Sequence, residues 1–431
     1  MRVLVVGGYG LIGTEVVRRL LAHGFAVTGA GRDLRTARRR LPGLDWVQAE
    51  LGRTHAAGWA ERLAGVDVVV NAAGVLQDGW RESLDATHDR GLEALLEGCR
   101  HAGVRRFVHV SAVGVAENRP GGGAFNDARA IAERQVAGCG LDWIIVRPGL
   151  VFGAEAFGGS GLLRGLAAFP LAIPAFALGA TVQAVSLAQV GEAVARAAAP
   201  GAPSGVALDV AGAEPLPLRV VLARLRAWLG LAPAPVVEVP RPLAAAMARV
   251  GDGLGRLGWR SPVRTNAVAQ LALGMDSPGG GEQALGLTPE TFVDVLAATL
   301  ATVQERRYAR LYFAKPALLI PLAVFCALTG VMALARLPAS AAMLTVAGVE
   351  PRLASATVVA GAAADLAVAA GLGFRPTAVR ALQALVLLSA GYVVAASLVR
   401  PDLWGDPLGA LSKTVLVGLM ALITLGLMDE R

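Results

Sequence analysis

The chain has 431 residues, which is more than one domain usually contains and predicts two or three folding units. Hydrophobic residues make up 55% of it, charged residues only 17%, and the mean hydropathy is +0.55, a composition too poor in charge for an ordinary soluble protein. The net charge is +7, but the basic residues are spread along the chain and interleaved with acidic ones. The densest basic run, residues 35–40, has no nucleic-acid-binding motif around it. We therefore expect it to form a solvated helix face, and we expect no nucleic-acid partner.

Short runs rich in valine and isoleucine alternate with helical segments along the first part of the chain. The runs occupy residues 1–6, 26–29, 46–49, 66–71, 106–111 and 142–147. This alternation predicts a parallel sheet covered by helices on both faces, because each crossover returns the chain to the same end of the sheet. From residue 152 to 305 the pattern loosens, with a strand near 206–210 and helices near 216–229 and 288–304, and we interpret this part as a small cap.

A glycine-rich turn follows the first predicted strand and precedes a predicted helix. Gly7, Gly10 and Gly13 match GxxGxxG, and with Gly8 the turn also matches GxGxxG. Bare backbone lets a pyrophosphate approach closely, and the N-terminus of the helix offers N–H groups to the phosphates. The turn therefore predicts binding of a nicotinamide dinucleotide. The residues expected to hold it are Gly7, Gly10, Leu11, Ile12 and Gly13.

The tip of the second predicted strand bears on the choice of cofactor. A guanidinium there suits the extra phosphate of NADP, whereas a carboxylate grips the ribose hydroxyls of NAD. Arg32 favours NADP(H) over NAD(H), and the alternative is that Arg32 is solvated while Asp33 reaches the ribose. After the fourth strand, the segment of Asn71, Ala72 and Ala73 is expected to pass close to the adenosine side of the cofactor.

Residues 1 to about 300 resemble the extended and atypical short-chain dehydrogenase/reductases. The resemblance rests on the glycine turn, on residues 71–74 (NAAG), on residues 106–111 (RFVHVS) and on residues 147–153 (RPGLVFG). It is nearest to the branch that contains the NAD(P)H-binding accessory subunit of respiratory complex I. The resemblance implies an α/β fold, a Rossmann-type doubly wound parallel sheet with a small cap, and cofactor contacts from Ser111, Arg129 and Pro148.

Catalytic members of this family pair a tyrosine with a lysine one helical turn later. The hydroxyl transfers the proton, and the ammonium group lowers the pKa of that hydroxyl. Aligned on Glu133 and on residues 147–149, the pair falls on Phe125 and Arg129, and no tyrosine or lysine occurs between residues 10 and 307. The dyad is therefore absent. Arg129 can still hold ribose hydroxyls, and Ser111, at the position of the family's active-site serine, either faces the nicotinamide or bonds local backbone.

Two functions remain open from the sequence. In one, the chain is a non-catalytic, sensor-like or scaffold protein whose bound NADP(H) stabilises the domain and docks it onto membrane redox machinery. In the other, it is an NAD(P)H-dependent oxidoreductase that uses an unusual acid, Asp127 or a water held by Ser111, on a lipophilic substrate such as a quinone or a lipid precursor. The missing dyad favours the first.

Beyond residue 306 the sequence becomes strongly apolar. Segments 316–335, 353–373, 379–399 and 409–428 each approach the ~20 residues that a membrane-crossing helix needs. We expect residues 1–305 to form the NAD(P)-binding domain and residues 306–431 an all-α four-helix transmembrane domain in contact with membrane lipids. The latter resembles the DoxX-like family through residues 403–408 (LWGDPL) and Lys413.

The flanking charges predict the orientation in the membrane. Arginine and lysine precede the first apolar segment and fill the loop between the second and third, so the NAD(P)-binding domain and the C-terminus should be cytoplasmic. The composition, rich in alanine, glycine and arginine and nearly free of lysine, indicates a bacterial inner membrane. We expect an integral membrane protein, with a quinone or a membrane redox protein as its partner.

Two further features concern polar side chains. Asp365 lies inside the second apolar segment, where a carboxylate is costly and marks a functional site by default. The alternative is a hydrogen bond for helix packing or a protonated acid with no transport role. Gln383 and Tyr392 in the third apolar segment are the candidate partners of Asp365. Cys99, Cys139 and Cys326 show no paired spacing, so neither a metal site nor a disulfide framework is predicted.

Overall fold

The computed structural model describes residues 1–74, 84–115, 123–407 and 409–428, so Leu408 of the DoxX-like signature lies outside the described residues. The chain divides into two compact units. The first comprises Met1–Arg256 and Ser261–Ala309, and the second comprises Leu257–Arg260 and Arg310–Arg431. The main boundary follows the change in composition near residue 306. The short segment Leu257–Arg260, from inside the predicted cap, packs with the second unit.

The first unit is built on a seven-stranded parallel sheet. The strands in the described residues are β1 (Arg2–Val6), β2 (Ala26–Gly31), β3 (Asp45–Gln48), β4 (Val68–Asn71), β5 (Arg106–Val110), β6 (Asp142–Pro148), β7 (Leu150–Phe152), β8 (Ile173–Ala175), β9 (Thr181–Ser186), β10 (Val206–Val210), β11 (Pro215–Pro217) and β12 (Val236–Glu238). The main sheet has the order β10-β6-β5-β4-β1-β2-β3 with every pair parallel. The direction of winding reverses at β1. The carboxyl ends of β1 and β4 therefore flank the crevice in which such sheets bind ligands.

Helices cover both faces of this sheet. The helices in the described residues up to residue 311, some of which pack on other parts of the unit, are α1 (Leu11–Ala22), α2 (Leu34–Arg40), α3 (Ala56–Arg62), α4 (Gly91–Ala102, after a π-helical turn Ala86–Arg90), α5 (Gly123–Ala137), α6 (Gly158–Ala167), α7 (Leu187–Ala197), α8 (Leu218–Trp228), α9 (Arg241–Arg256), α10 (Thr265–Leu273), α11 (Gly281–Ala284), α12 (Phe292–Ala297) and α13 (Val303–Leu311). Side chains alternate across a strand, so Val3 and Val5 pack with α1 and α7, whereas Leu4 and Val6 pack with α3 and α4. Burial on both faces explains the continuous apolar runs of the sequence.

The segments after β6 add a third hydrophobic core. β7, β9 and β11 form one small sheet, β8 and β12 form another, and Phe152 and Phe292 are buried between the surrounding helices. The sequence assigned residues 206–210 to the cap, but they form β10, the edge strand of the main sheet, paired with β6. The reason is the preceding helix: α7 packs on the main sheet, so its crossover returns the chain to that sheet.

The second unit is all-α. Its helices are α14 (Ala314–Ala335), α15 (Leu337–Thr345), α16 (Pro351–Gly373), α17 (Arg375–Val399) and α18 (Ala410–Gly426), with a 3-10 turn at Pro401–Gly405. In the described part of the chain, three helical segments are long and apolar enough to cross a membrane, namely Val303–Ala335, Pro351–Gly373 and Arg375–Val399. The fourth predicted span corresponds to the shorter apolar helix Ala410–Gly426. α15 lies in the connection between the first two predicted spans.

Candidate dinucleotide-binding site

The glycine-rich turn between β1 and α1 has no room for side chains. Gly7 has a φ of +76°, and a Cβ added to it would lie 2.8 Å from the backbone nitrogen of Ala73. A Cβ on Gly13 would lie 2.2 Å from the carbonyl oxygen of Gly7. Gly10 donates its N–H to that same carbonyl (2.9 Å) and begins α1 without a side-chain cap. The N–H groups of the first helical turn have no acceptor within the helix and are available to a phosphate. This turn consists of Leu11, Ile12 and Gly13.

The residues after β2 have different roles. Arg32 is exposed, whereas Asp33 caps α2. Its Oδ1 accepts from the backbone N–H groups of Arg35 (3.1 Å) and Thr36 (3.2 Å), and its Oδ2 accepts from the Thr36 hydroxyl (2.6 Å). The hydrogen bonds from Thr36 are the main reason that the pKa of Asp33 lies below its ordinary value. The carboxylate of Asp33 is therefore engaged by its own helix.

Tyr9 joins the glycine turn to β2. An added Cβ on Gly31 would lie 2.2 Å from Tyr9 Cε1, so only glycine permits this contact. The carbonyl oxygen of Tyr9 accepts a hydrogen bond from Arg40 Nη1 (2.7 Å). Sequence reasoning missed Arg40 because its position on a basic helix face gives no sign that the end of α2 returns to the turn. Arg40 thus places a cation against the glycine turn.

Asn71 ends β4 beside the glycine turn and is buried. Its Oδ1 accepts from the N–H of Ala73 (3.2 Å), which shapes the turn through Ala72, and its Nδ2 lies 3.2 Å from Nδ1 of His109. An amide nitrogen can only donate, so Nδ1 accepts and the proton of His109 is on Nε2. Nε2 has no partner among the described residues. Burial, followed by the positive charges of Arg129 and His88, holds the pKa of His109 well below its ordinary value, so the ring is neutral.

The two residues at the dyad positions lie together at the carboxyl end of β5. Arg129 Nη1 donates to the carbonyl of Val110 (2.8 Å), and the guanidinium lies over the ring of Phe125, 5.1 Å from its centroid. A Cβ on Gly74 would lie 2.9 Å from Arg129 Nη2. Burial lowers the pKa of Arg129 to about 10, so the guanidinium stays charged at neutral pH. Arg129 therefore faces the turn that follows β4, and Phe125 lies against its guanidinium.

Ser111 completes this end of the site. It is buried directly after β5, and its N–H donates to the carbonyl of Val146 (2.8 Å). Its hydroxyl and the Nε of Arg129 are buried without a hydrogen-bond partner in the described segments. A buried polar atom left unbonded costs about 1–3 kcal/mol, so such atoms usually meet a partner. The ribose hydroxyls of a dinucleotide would fit these atoms, and its pyrophosphate would fit the cradle at Gly7 and Gly13.

His88 belongs to this region and was not predicted. It is buried in the π-helical turn before α4, with its ring edge-on to that of Phe125 at 6.4 Å between centroids. A single histidine outside any motif gives no signal in the sequence. The described residues thus bring a histidine beside the position of the missing tyrosine.

Pro148 lies beside the segment that follows Ser111, whereas Asp127 lies away from the site. Pro148 ends β6, and its carbonyl accepts from the N–H of Val113 (3.0 Å), in the segment that follows Ser111. Asp127 is exposed, and its position two residues after Phe125 places it on the other side of α5. The structure therefore does not bring Asp127 to the site.

Asp365 lies in the second unit, within α16. Its carboxylate accepts hydrogen bonds from the hydroxyl of Thr329 (3.1 Å) and from that of Tyr392 (3.4 Å). The Tyr392 hydroxyl also lies 3.2 Å from the carbonyl oxygen of Gly361, so its single proton is shared between the two acceptors. These contacts tie α14, α16 and α17 together, so the carboxylate has partners within its own helix bundle.

Two family models match the chain. Residues 7–161 match the family described as NAD(P)H-binding, and residues 323–424 match the DoxX-like family. The chain joins an NAD(P)H-binding domain to a DoxX-like domain. Both halves of the resemblance seen in the sequence are thereby confirmed, as is the Rossmann-type fold. The DoxX-like domain and its apolar helices indicate association with a membrane.

The NAD(P)H-binding domain has curated relatives whose names refer to steroids and sterols. The chain is 31% identical over 180 residues to 3 beta-hydroxysteroid dehydrogenase/Delta 5→4-isomerase of Mycobacterium tuberculosis, a match of 35% of this chain and 47% of that protein. It is 30% identical over 176 residues to sterol demethylase protein B of Methylococcus capsulatus, a match of 36% of this chain and 53% of that protein. The chain thus spans about half the length of the curated relatives it matches.

A solved structure supports the fold of the NAD(P)H-binding domain. The NADPH-dependent quinone oxidoreductase of Escherichia coli, in complex with NADPH, superposes with a TM-score of 0.53, covering 69% of this chain and 99% of that chain. The sequences are 18% identical. This likeness shows the shared fold.

Proposed function

We propose that this chain is a membrane-anchored NADP(H)-binding protein that holds its cofactor without the Tyr–Lys proton relay. The observation that carries the proposal is the placement of Phe125 and Arg129 together at the end of β5, next to Ser111. Phenylalanine has no proton to exchange, whereas arginine stays charged and offers fixed N–H donors. The pair would bind the nicotinamide ribose without passing a proton to a substrate.

The remaining contacts are assigned by position. The glycine turn and the first turn of α1 would hold the pyrophosphate, and residues 71–73 would border the adenosine. Ser111, Arg129 and Pro148 would face the nicotinamide half. Arg32, at the tip of β2, and Arg40, which contacts the glycine turn, support NADP(H) over NAD(H), because the carboxylate of Asp33 is engaged by α2. When bound, the dinucleotide stabilises the folded domain by mass action and is a store of hydride for a partner.

The test uses the full-length protein purified in detergent. It measures which cofactor the protein retains and whether the protein oxidises that cofactor. We expect extraction and mass spectrometry to recover NADP(H), and we expect no sustained oxidation of NADPH with a soluble quinone acceptor. Arg32→Ala should weaken NADPH binding about tenfold, the effect of losing one charge-assisted contact, and leave NADH binding unchanged. Sustained NADPH oxidation would overturn the non-catalytic proposal, and recovery of NAD(H) alone would overturn the cofactor preference.

A second candidate is an NAD(P)H-dependent oxidoreductase that acts on a lipophilic substrate such as a quinone or a lipid precursor. The names of the relatives favour it, because they refer to a steroid and to sterols. Asp127 lies away from the site, so the acid would be a water held by the hydroxyl of Ser111. In this case Ser111→Ala would abolish turnover.

The setting of the protein is part of the proposal. We infer an integral protein of a bacterial inner membrane, with a quinone or a membrane redox protein as its partner. Arg306, Arg307 and Arg310 precede α14, and Arg375 and Arg380 lie at the start of α17. This distribution favours a cytoplasmic NAD(P)H-binding domain and a cytoplasmic C-terminus.

A further inference from the structure

α9 is held in place by a face of small residues. Ala244, Ala248, Gly251 and Gly255 are buried and recur every three or four residues, so they share one side of the helix. A Cβ on Gly251 would lie 1.9 Å from the carbonyl oxygen of Val263. Backbone contact this close fixes the rotation of α9 about its axis, and therefore fixes which side chains point outward.

A second side of α9 is apolar and exposed. Its members recur at the same helical spacing. Their exposed fractions are 53% for Leu243, 49% for Met247, 64% for Val250 and 37% for Leu254. Soluble proteins seldom expose a continuous apolar stripe of this kind unless something covers it. We call these four residues the leucine stripe.

The remaining side of α9 is basic. Arg241, Arg249 and Arg256 are exposed and lie away from the leucine stripe, while the acidic group on this side, Asp252, accepts hydrogen bonds from Arg264 and Thr265. The outward charge of the helix is therefore positive. A helix with an apolar stripe and arginines on another side suits the surface of a membrane that contains anionic lipids.

The chain just beyond α9 brings together a tryptophan and cations, the residue types that are common at the interface between membrane and water. Leu257–Arg260 belong to the second unit, where the N–H of Arg375 donates to the Leu257 carbonyl (3.0 Å) and Trp259 Nε1 donates to the Gly373 carbonyl (2.8 Å). Lys315 Nζ and the guanidinium of Arg375 lie over the indole, 5.6 and 5.7 Å from its centroid. Tryptophan with cations at the ends of apolar helices marks the boundary between lipid and water.

We propose that α9 lies in the bilayer interface, with the leucine stripe inserted among the lipids and its arginines directed to anionic headgroups. Continuity of the chain favours lipid as the occupant, because a single peptide bond joins Arg256 to the segment that contacts the ends of the spans. A second copy of the chain would need an apolar surface of its own, whereas the bilayer around the second unit is already beside this segment.

The test uses the full-length protein in lipid nanodiscs of phosphatidylcholine with phosphatidylglycerol. The three native cysteines are buried, so an environment-sensitive fluorophore can be attached to a cysteine introduced at Met247 on the stripe. Arg249→Cys, on the basic side of the same helix, is the matched control, and Leu171→Cys reports an exposed apolar residue elsewhere (87% exposed). Retained NADPH binding shows that each labelled variant is folded.

We expect the label at position 247 to emit at shorter wavelength and to be quenched by lipids that carry a quencher on their acyl chains. The labels at 249 and 171 should instead be quenched by iodide in the water. Equal quenching of all three labels by iodide would overturn the proposal. Disulfide cross-linking of two chains through Met247→Cys, with no quenching by lipid, would also overturn it and would assign the stripe to a second copy.

Discussion

Arg129 shows what a single substitution does to this kind of site. A lysine there would place a compact charge near a phenol and lower the pKa of that phenol, but Phe125 offers no phenol. The guanidinium instead lies over the phenylalanine ring and bonds the carbonyl of Val110, which fixes its position. A planar, permanently charged donor suits the holding of hydroxyl groups better than the tuning of a proton transfer.

Gly13 is the position in the glycine turn that leaves the least room for a side chain. In Gly13→Ala, the new methyl group would meet the carbonyl of Gly7 and push the turn away from the phosphate path. We expect NADPH binding to weaken at least about tenfold, and stability to fall by about 1–3 kcal/mol from overpacking. Titration of NADPH fluorescence and thermal unfolding would measure the two effects.

The control for Gly13 is Gly159→Ala in α6, where an added Cβ meets nothing within 4 Å. This variant should bind NADPH like the original chain. If Gly13→Ala bound NADPH as tightly as Gly159→Ala, the close backbone approach would not be needed for the cofactor.

At this scale the sequence predicted the glycines and Arg32 because their motif has fixed local spacing. It did not predict Arg40 or His88. Their approach to Tyr9 and Phe125 depends on where α2 ends and on a π-helical turn, and neither feature has a signature in one sequence. Convergence of side chains from separate elements is set by packing, which periodicity does not describe.

At the scale of elements, Asp33 stabilises α2 as its N-terminal cap. Asp33→Ala removes the acceptor for the N–H groups of Arg35 and Thr36, which should cost α2 about 1 kcal/mol near neutral pH. The pKa of Asp33 is lower in the folded chain than in the unfolded one, so its contribution is present above the ordinary pKa of about 4 and is lost as pH falls through the lower, folded value. In Asp33→Ala, hydrogen exchange should show that α2 opens about fivefold more often than in the original chain at pH 7. The difference between the two proteins should shrink below pH ~4.

Asp33→Asn is the matched control, because its amide oxygen still accepts at the cap without a titrating group. In this variant the α2 amides should stay protected from hydrogen exchange both at pH 7 and below pH ~4. NADPH binding should be unchanged in both variants. A loss of dinucleotide binding in Asp33→Ala, with α2 still protected, would show that Asp33 reaches the ribose and would contradict its assignment to the cap.

The elements themselves were predicted with uneven success. The strands from β1 to β6 follow from apolar runs between helical segments, because parallel strands are buried on both faces. β10 was misplaced because a short strand after a long irregular segment carries no mark of the sheet it joins, and only the packing of α7 decides it. The segment Leu257–Arg260 was missed for the same reason, since its place in the second unit depends on contacts with Gly373 and Arg375.

At the scale of the whole molecule, the two units have opposite solvent requirements. The first is built around three buried apolar clusters, whereas helices of the second expose Leu328, Leu398 and Leu422 by more than half. Outward-facing leucines on long apolar helices fit a lipid environment. The polar contacts of Asp365 with Thr329 and Tyr392 link helices in that environment, where few other polar groups compete.

The number of crossings decides the side of the C-terminus. α18 has 17 residues, or about 26 Å of helix at ~1.5 Å per residue, slightly less than the ~30 Å hydrocarbon core. Local thinning of the bilayer costs only fractions of a kcal/mol per Å, so we expect α18 to cross as a fourth span. A fluorescent protein fused after the last residue should then fluoresce in the cytoplasm of a bacterial host, and alkaline phosphatase at the same place should be inactive. Arg400 follows the third span, so fusions after it should lie outside the cytoplasm. There the fluorescent protein should be dark and alkaline phosphatase should be active. An active phosphatase at the C-terminus would show that α18 does not cross.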